Sequence, residues 1–194
     1  MKNSFFALIS RMRYIARWGL MRNTLAENIQ EHSHMVAVIA HALAVIAQDK
    51  FESQTDPNIV AAAALYHDAS EIFTGDLPSP IKYRNPNIQK AYQQIEQAAN
   101  DKLLALLPAE IQSSYKALLT EIDPRVQQFI KSADRISAYI KCLEELRAGN
   151  DDFKAAKDEI FNSIQRNLTP EVDYFFTHCI PAFSDTLDEL DLCF

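Results

Sequence analysis

The sequence predicts an all-α fold, and three observations carry the prediction. Helix-capping residues punctuate the chain, apolar residues recur at helical spacing between them, and no strand-like alternation competes. Only three glycines occur, Gly19, Gly75 and Gly149, too few for a turn-rich all-β chain or for glycine-rich phosphate loops. With 194 residues and 48% hydrophobic content the chain can bury one sizeable core. A single domain over residues 1–194, with extra helices at its C-terminal end, is the expectation.

The elements follow in order. A first helix is expected over residues 4–17, amphipathic through Phe5, Leu8, Ile9, Met12 and Ile15 and ending near Trp18-Gly19. The second, 29–48, is apolar almost all round its middle, the pattern of a helix enclosed by others, and carries His32 in its first turns. Asp56-Pro57 offer an N-cap and a first-turn proline to a third, which the spacing continues through His67-Asp68 to Gly75. Residues 75–80 read as a loop. Helices are expected at 87–107 and 109–119, and Asp123-Pro124 opens a long one that contains Asp134 and ends at Gly149. Stretches 151–167 and 170–190 complete the chain, the last kinked at Pro181.

The formal charge of −7 argues against a nucleic-acid surface, which needs a basic face, while a small anion can still be drawn to a local cationic site. Cys142, Cys179 and Cys193 are odd in number and follow no paired zinc or redox spacing. With no N-terminal signal pattern, a reducing cytoplasm is the expected home. The apolar run 35–47 is interrupted by His41 and too short to span a bilayer, so no membrane segment is expected.

The adjacent pair His67-Asp68 sets two metal-competent side chains where packing favours hydrocarbon, and such groups are costly when buried without hydrogen bonds or a cation. His32 and Asp134 are candidate partners. Asp134 has Ile130 and Ala138 four residues to either side, a face where an unpaired carboxylate is expensive, although pairing with Lys131 or Arg135 is the plainer alternative. On a continuous helix Glu71 lies beside both His67 and Asp68, with Asp76 in the loop that follows. Imidazole nitrogen and carboxylate oxygen suit borderline divalent metals, and two His with two Asp leave positions open for water and a substrate oxygen. Glu71 and Asp76 would then serve as acid and base beside the ion. Taken singly, His32 reads as a histidine satisfied by Glu31, and Arg17 as one of a solvated stripe with Arg11 and Arg13. His34 and His41 are left out of the site.

The order His32, His67-Asp68, Asp134 resembles the H…HD…D pattern of the HD-domain metal-dependent phosphohydrolases, whose fold is an all-α, HD-domain-like helical bundle. Further elements look like the bacterial 5'-deoxynucleotidases of the YfbR type, over nearly the whole chain. They are Arg17-Trp18, Met21-Arg22-Asn23, Glu27-Asn28 with Glu31-His32-Ser33, Tyr66 through Glu71, Thr74 through Pro78, Ile81-Lys82-Tyr83, and Lys141 through Leu146.

The resemblance implies that His32, His67, Asp68 and Asp134 hold a divalent cation, Co2+ or Mn2+. It implies a small-molecule substrate, a deoxyribonucleoside 5'-monophosphate, hydrolysed to deoxynucleoside and phosphate by attack of a metal-associated water. Arg17 and Trp18 would grip the 5'-phosphate, a role suited to a forked guanidinium beside an aromatic wall. Asp76, Leu77, Pro78 and Ser79 would line the sugar side in a pocket too tight for a 2'-hydroxyl, and the ligands His32, Asp68 and Asp134 would also touch substrate. Glu71, Asp76 and Arg17 form the catalytic set. Ser79 stands where threonine is expected in relatives. A homodimer is expected as well. The alternatives are another HD-type phosphohydrolase, a cyclic-nucleotide phosphodiesterase or dNTP triphosphohydrolase, and a non-catalytic nucleotide- or metal-sensing module.

Overall fold

A computed structural model describes residues 3–82 and 85–190; Tyr83, Cys193 and the side chains of Ser79 and Pro80 lie outside the described residues. In chain order the helices are α1 (Phe5–Ile9), α2 (Ile29–Phe51), α3 (Pro57–Ala64), α4 (Glu71–Thr74), α5 (Ser79–Lys82), α6 (Pro86–Ala105), α7 (Ala109–Leu119), α8 (Pro124–Arg147), α9 (Lys154–Arg166) and α10 (Pro170–His178). No strand occurs among the described residues; one isolated antiparallel bridge joins Ala16 to Asn28.

Local chemistry starts the three helices that build the site. The Asn28 side chain accepts from the N–H groups of Gln30 and Glu31 at 3.0 Å each, and Glu31 completes a reciprocal capping box. Glu31 is thereby committed to the cap rather than to His32. Asp56 and Asp123 cap α3 and α8 in the same manner, each followed by a proline at the first helical position. Among the described residues α2 is the one helix long and apolar enough to cross a membrane, and its apolarity serves the core, because α3, α8 and α10 pack around it. Val36, Leu43, Val60, Ala63, Ile136 and Val172 form that main core. A second, smaller cluster of Phe5, Ala69, Leu103, Leu107 and Leu119 ties α1, α6 and α7 together. Ala64 belongs to the first cluster and Ala69 to the second, so His67-Asp68 lies in the seam between them.

Four expectations about elements are corrected. The first helix stops at Ile9 and tightens into a 3-10 turn over Ser10–Tyr14, where the Ser10 hydroxyl bonds back to the Ala7 carbonyl at 2.8 Å. Ile15 is extended because its carbonyl accepts from Ile29 N–H, which draws the chain into the bridge. The third helix ends at Ala64 rather than running to Gly75. The His67 Nδ1 takes the Ala64 carbonyl at 2.8 Å, where a continuing α-helix would place the Asp68 N–H, and between Tyr66 and Phe73 the chain winds on i→i−3 bonds into α4 instead. The expected loop 75–80 covers only 75–78, with Ser79 and Pro80 already in α5. The last helix breaks at His178 instead of kinking, since Pro181 cannot donate to a continuing ladder, and 3-10 turns follow at Ile180–Ser184 and Leu187–Glu189.

Candidate active site

Three of the four expected ligands meet where α2, α8 and the tight turn after α3 converge. His32 is fully buried, and its Nε2 lies 3.1 Å from Asp134 Oδ1 and 3.6 Å from Asp68 Oδ2. His67 Nε2 lies 3.1 Å from Asp68 Oδ2. One donor atom each from His32, His67 and Asp68 falls within 4.8 Å of the others. Asp134 reaches the group through His32 and is the most open of the four, 44% exposed.

Hydrogen bonding shows that these residues fit a divalent ion. With Nδ1 donating to Ala64, His67 turns Nε2 inward, buried and without a hydrogen-bond partner despite its closeness to Asp68. Burial opposes charge on His67, but Asp68 and Asp134 outweigh it and raise its pKa, so a proton competes for the place a cation would take. Burial likewise opposes ionisation of Asp68, yet His67, His32 and Arg17 hold its carboxyl well below the usual range. At His32, Arg17 Nη1 donates to Nδ1 at 2.8 Å, which assigns the proton to Nε2, facing Asp134. A cation on Nε2 would require that proton on Nδ1, where Ser137 Oγ at 3.2 Å accepts it.

Glu71 and Asp76 stand next to this cluster in opposite electrostatic surroundings from Asp68. Burial, then the Asp68 and Asp76 carboxylates, push Glu71 up to about 10, with Lys82 and Arg17 working the other way. Glu71 Oε2 is buried without a partner. Burial also raises Asp76, offset in part by Arg17 and by the nearby Trp18 backbone. Asp76 follows Gly75, whose φ of +70° permits the sharp exit from α4. Leu77 and Pro78 continue that loop, half-buried.

Arg17 is 13% exposed and donates to Glu27 Oε2 at 2.8 Å as well as to His32. The Trp18 indole N–H donates to the same Glu27 oxygen at 2.9 Å, and its ring packs on Phe153 with centroids 5.2 Å apart. Thus the structure brings His32, His67, Asp68, Asp134, Glu71, Asp76, Arg17 and Trp18 into one neighbourhood. Sequence reasoning assigned no role to Ser137 or Glu27. Ser137 lies three residues beyond Asp134 on one face of α8, a spacing that marks it; Glu27 meets Arg17 across a loop, and no spacing rule reveals that.

A family model described as 5'-deoxynucleotidase YfbR-like matches residues 4–183. The chain belongs to the YfbR-like 5'-deoxynucleotidase family. A 5'-deoxynucleotidase from Yersinia pseudotuberculosis serotype I is 47% identical over 190 residues, 97% of this chain and 96% of its own. A 5'-deoxynucleotidase from Photorhabdus temperata matches to the same extent. Among solved structures, an HD-domain phosphohydrolase from Listeria innocua superposes with a TM-score of 0.80 at 22% identity, covering 93% of this chain and 88% of its own. A cyanophage S-2L HD phosphohydrolase, solved with dA and one catalytic Zn2+ ion, superposes with a TM-score of 0.68 at 22% identity over 93% of this chain and 96% of its own. These two share the all-α fold with the YfbR-like chain, as its H…HD…D order led one to expect.

Proposed function

We propose that this chain is a metal-dependent 5'-deoxynucleotidase that cleaves deoxyribonucleoside 5'-monophosphates to deoxynucleoside and phosphate. The observation that carries the reading is the convergence of His32, His67 and Asp68 within 4.8 Å with the Arg17 guanidinium bonded into the same cluster. Relatives named 5'-deoxynucleotidase over nearly the full length support it. The dA and Zn2+ held by the cyanophage protein support a nucleoside ligand and a divalent ion.

His32, His67, Asp68 and Asp134 would hold the cation, Co2+ or Mn2+ in vitro, with Zn2+ as the ion to compare. When bound, it would supply Lewis acidity to water and to a phosphoryl oxygen. Arg17 would present its forked donors to the phosphate and steady the charge that grows as the ester bond breaks. Asp76, Leu77, Pro78 and Ser79 would face the sugar. Glu71 and Asp76 jointly orient water and return a proton to the departing 5'-oxygen, and the partnerless Glu71 Oε2 is an atom at which a proton can be taken or released. On this reading the enzyme works in the cytoplasm as a homodimer of one HD domain per chain.

The test is metal analysis of the purified protein paired with inorganic phosphate release from matched deoxy and ribo monophosphates, with triphosphates and cyclic nucleotides alongside. Release is expected from the deoxy monophosphates, and Asp68→Ala is expected to lose metal and activity together. An active, metal-free Asp68→Ala protein would overturn the ligand set, and no release with any divalent ion would overturn the activity.

A further inference from the structure

Residues 17–27 form a loop closed at its mouth. Arg17 N–H donates to the Glu27 carbonyl at 2.9 Å and Ile29 N–H to the Ile15 carbonyl at 3.0 Å, on either side of the Ala16–Asn28 bridge. Within the loop a single atom, Glu27 Oε2, accepts from both Arg17 Nη1 and Trp18 Nε1, at 2.8 and 2.9 Å. Side chains adjacent in sequence rarely share one acceptor. Trp18 manages it with a φ of +59°, a left-handed conformation that is costly for a bulky aromatic and persists only when its surroundings enforce it. The bond to Glu27 and the contact with buried Phe153 provide that enforcement. The Trp18 backbone so placed lies near enough to Asp76 to favour its ionised form.

The far side of the loop is anchored separately. Glu145, fully buried, accepts from the Thr24 N–H at 2.9 Å, the Thr24 hydroxyl at 2.6 Å, the Leu25 N–H at 3.2 Å and Asn150 at 2.8 Å. Lys141 pairs with Glu145 and donates to the Leu25 carbonyl at 2.6 Å, and Asn150 donates to the Arg22 carbonyl at 2.6 Å. With both ends held, the loop has little freedom to lose when a substrate arrives.

We propose that Glu27 is a positioning residue: by gathering the Arg17 guanidinium and the Trp18 indole onto one oxygen, it presents Arg17 and the left-handed Trp18 backbone to the substrate phosphate. This rests on the reading of Arg17 as the partner of that phosphate. In this role Glu27 acts through Arg17 and Trp18, with its other oxygen 3.9 Å from His32 Nδ1.

Trp18 is the sole tryptophan of the chain, so its fluorescence reports the clamp directly. Glu27→Ala and Glu27→Gln are compared with the wild type in three readouts: Trp18 emission with its acrylamide quenching, its response to inorganic phosphate, and the KM and kcat for a deoxynucleoside 5'-monophosphate. Glu27→Ala is expected to red-shift the emission, expose it to quencher, weaken the phosphate response and raise KM about tenfold or more with a smaller fall in kcat. Glu27→Gln keeps an oxygen for the indole N–H but no charge for Arg17, and is expected to restore the emission and only part of KM. Should the alanine variant fail to fold, the glutamine variant decides by the same split. Unchanged emission and KM in a background where the wild type turns over would overturn the proposal, as would a loss confined to kcat. A wild type that releases no phosphate, beside a Glu27→Ala protein whose emission still shifts, would overturn the reading of the site and leave the clamp standing.

Discussion

His67 bonds the backbone with one ring nitrogen so that the other faces Asp68 in the interior, and that single choice both bends the chain and sets the donor atom of the proposed metal site. Glu71 enters the next short helix from the same turn, close enough to Asp68 for that carboxylate to oppose the ionisation of Glu71. Because Glu71 is not among the residues proposed to hold the cation, Glu71→Ala is expected to keep full metal content and to lower kcat about a hundredfold or more. Retained turnover at full metal occupancy would remove Glu71 from the chemistry; the measurement is metal content and phosphate release on one preparation. The His67-Asp68 pair was legible because the residues are neighbours in sequence. The partnership of Glu27 with Arg17 and Trp18 was not, since it depends on a left-handed residue and on a bridge that no local pattern announces.

Helix starts were the most legible elements, because Asn28, Asp56 and Asp123 act locally, through side chains that bond N–H groups two or three residues on. Ends and interruptions were less so, as at Ala64, where a side chain from beyond the helix competes for its last carbonyl. The long helix α8 illustrates a tie between elements: it carries Asp134 for the site and, two to three turns later, the Lys141–Glu145 pair that holds the loop. Burial opposes ionisation of Glu145, yet hydrogen bonds from Lys141, Thr24 and Asn150 outweigh it and hold the carboxyl well below its ordinary value of 4.5. The folded chain therefore stays ionised where the unfolded chain takes up a proton. The stabilisation is complete above about 4.5 and drains away as pH falls below it. Glu145→Gln, which strands buried Lys141, is expected to cost about 3–5 kcal/mol at neutral pH. Urea unfolding should show the gap to wild type narrowing in acid, and a gap independent of pH would contradict the assignment.

Across the whole molecule two apolar clusters meet at the turn that bears His67 and Asp68, so the site is framed by packing that was visible in the pattern of apolar residues but whose seam was not. Leu43, fully buried at the centre of α2 and about three turns from His32, tests how far the two are coupled. Leu43→Ala is expected to lower stability by about 2–5 kcal/mol in urea unfolding while leaving metal uptake intact, because the proposed ligands His67 and Asp68 sit at the seam rather than in the main core. Metal loss in step with stability would show instead that the clusters behave as one.

The double anchoring of residues 17–27 has a topological consequence. Leu20, at the tip, is 74% exposed, while the stretches before and after it are each fastened to other parts of the protein, Arg17 and Trp18 through Glu27 and His32, Thr24 and Leu25 through α8. Severing the peptide between Leu20 and Met21 would divide the chain into a short N-terminal fragment and a long remainder, each keeping its own attachments. The two pieces supplied separately should recognise one another and reassemble, which makes this tip a natural place to split the protein or to relocate its termini.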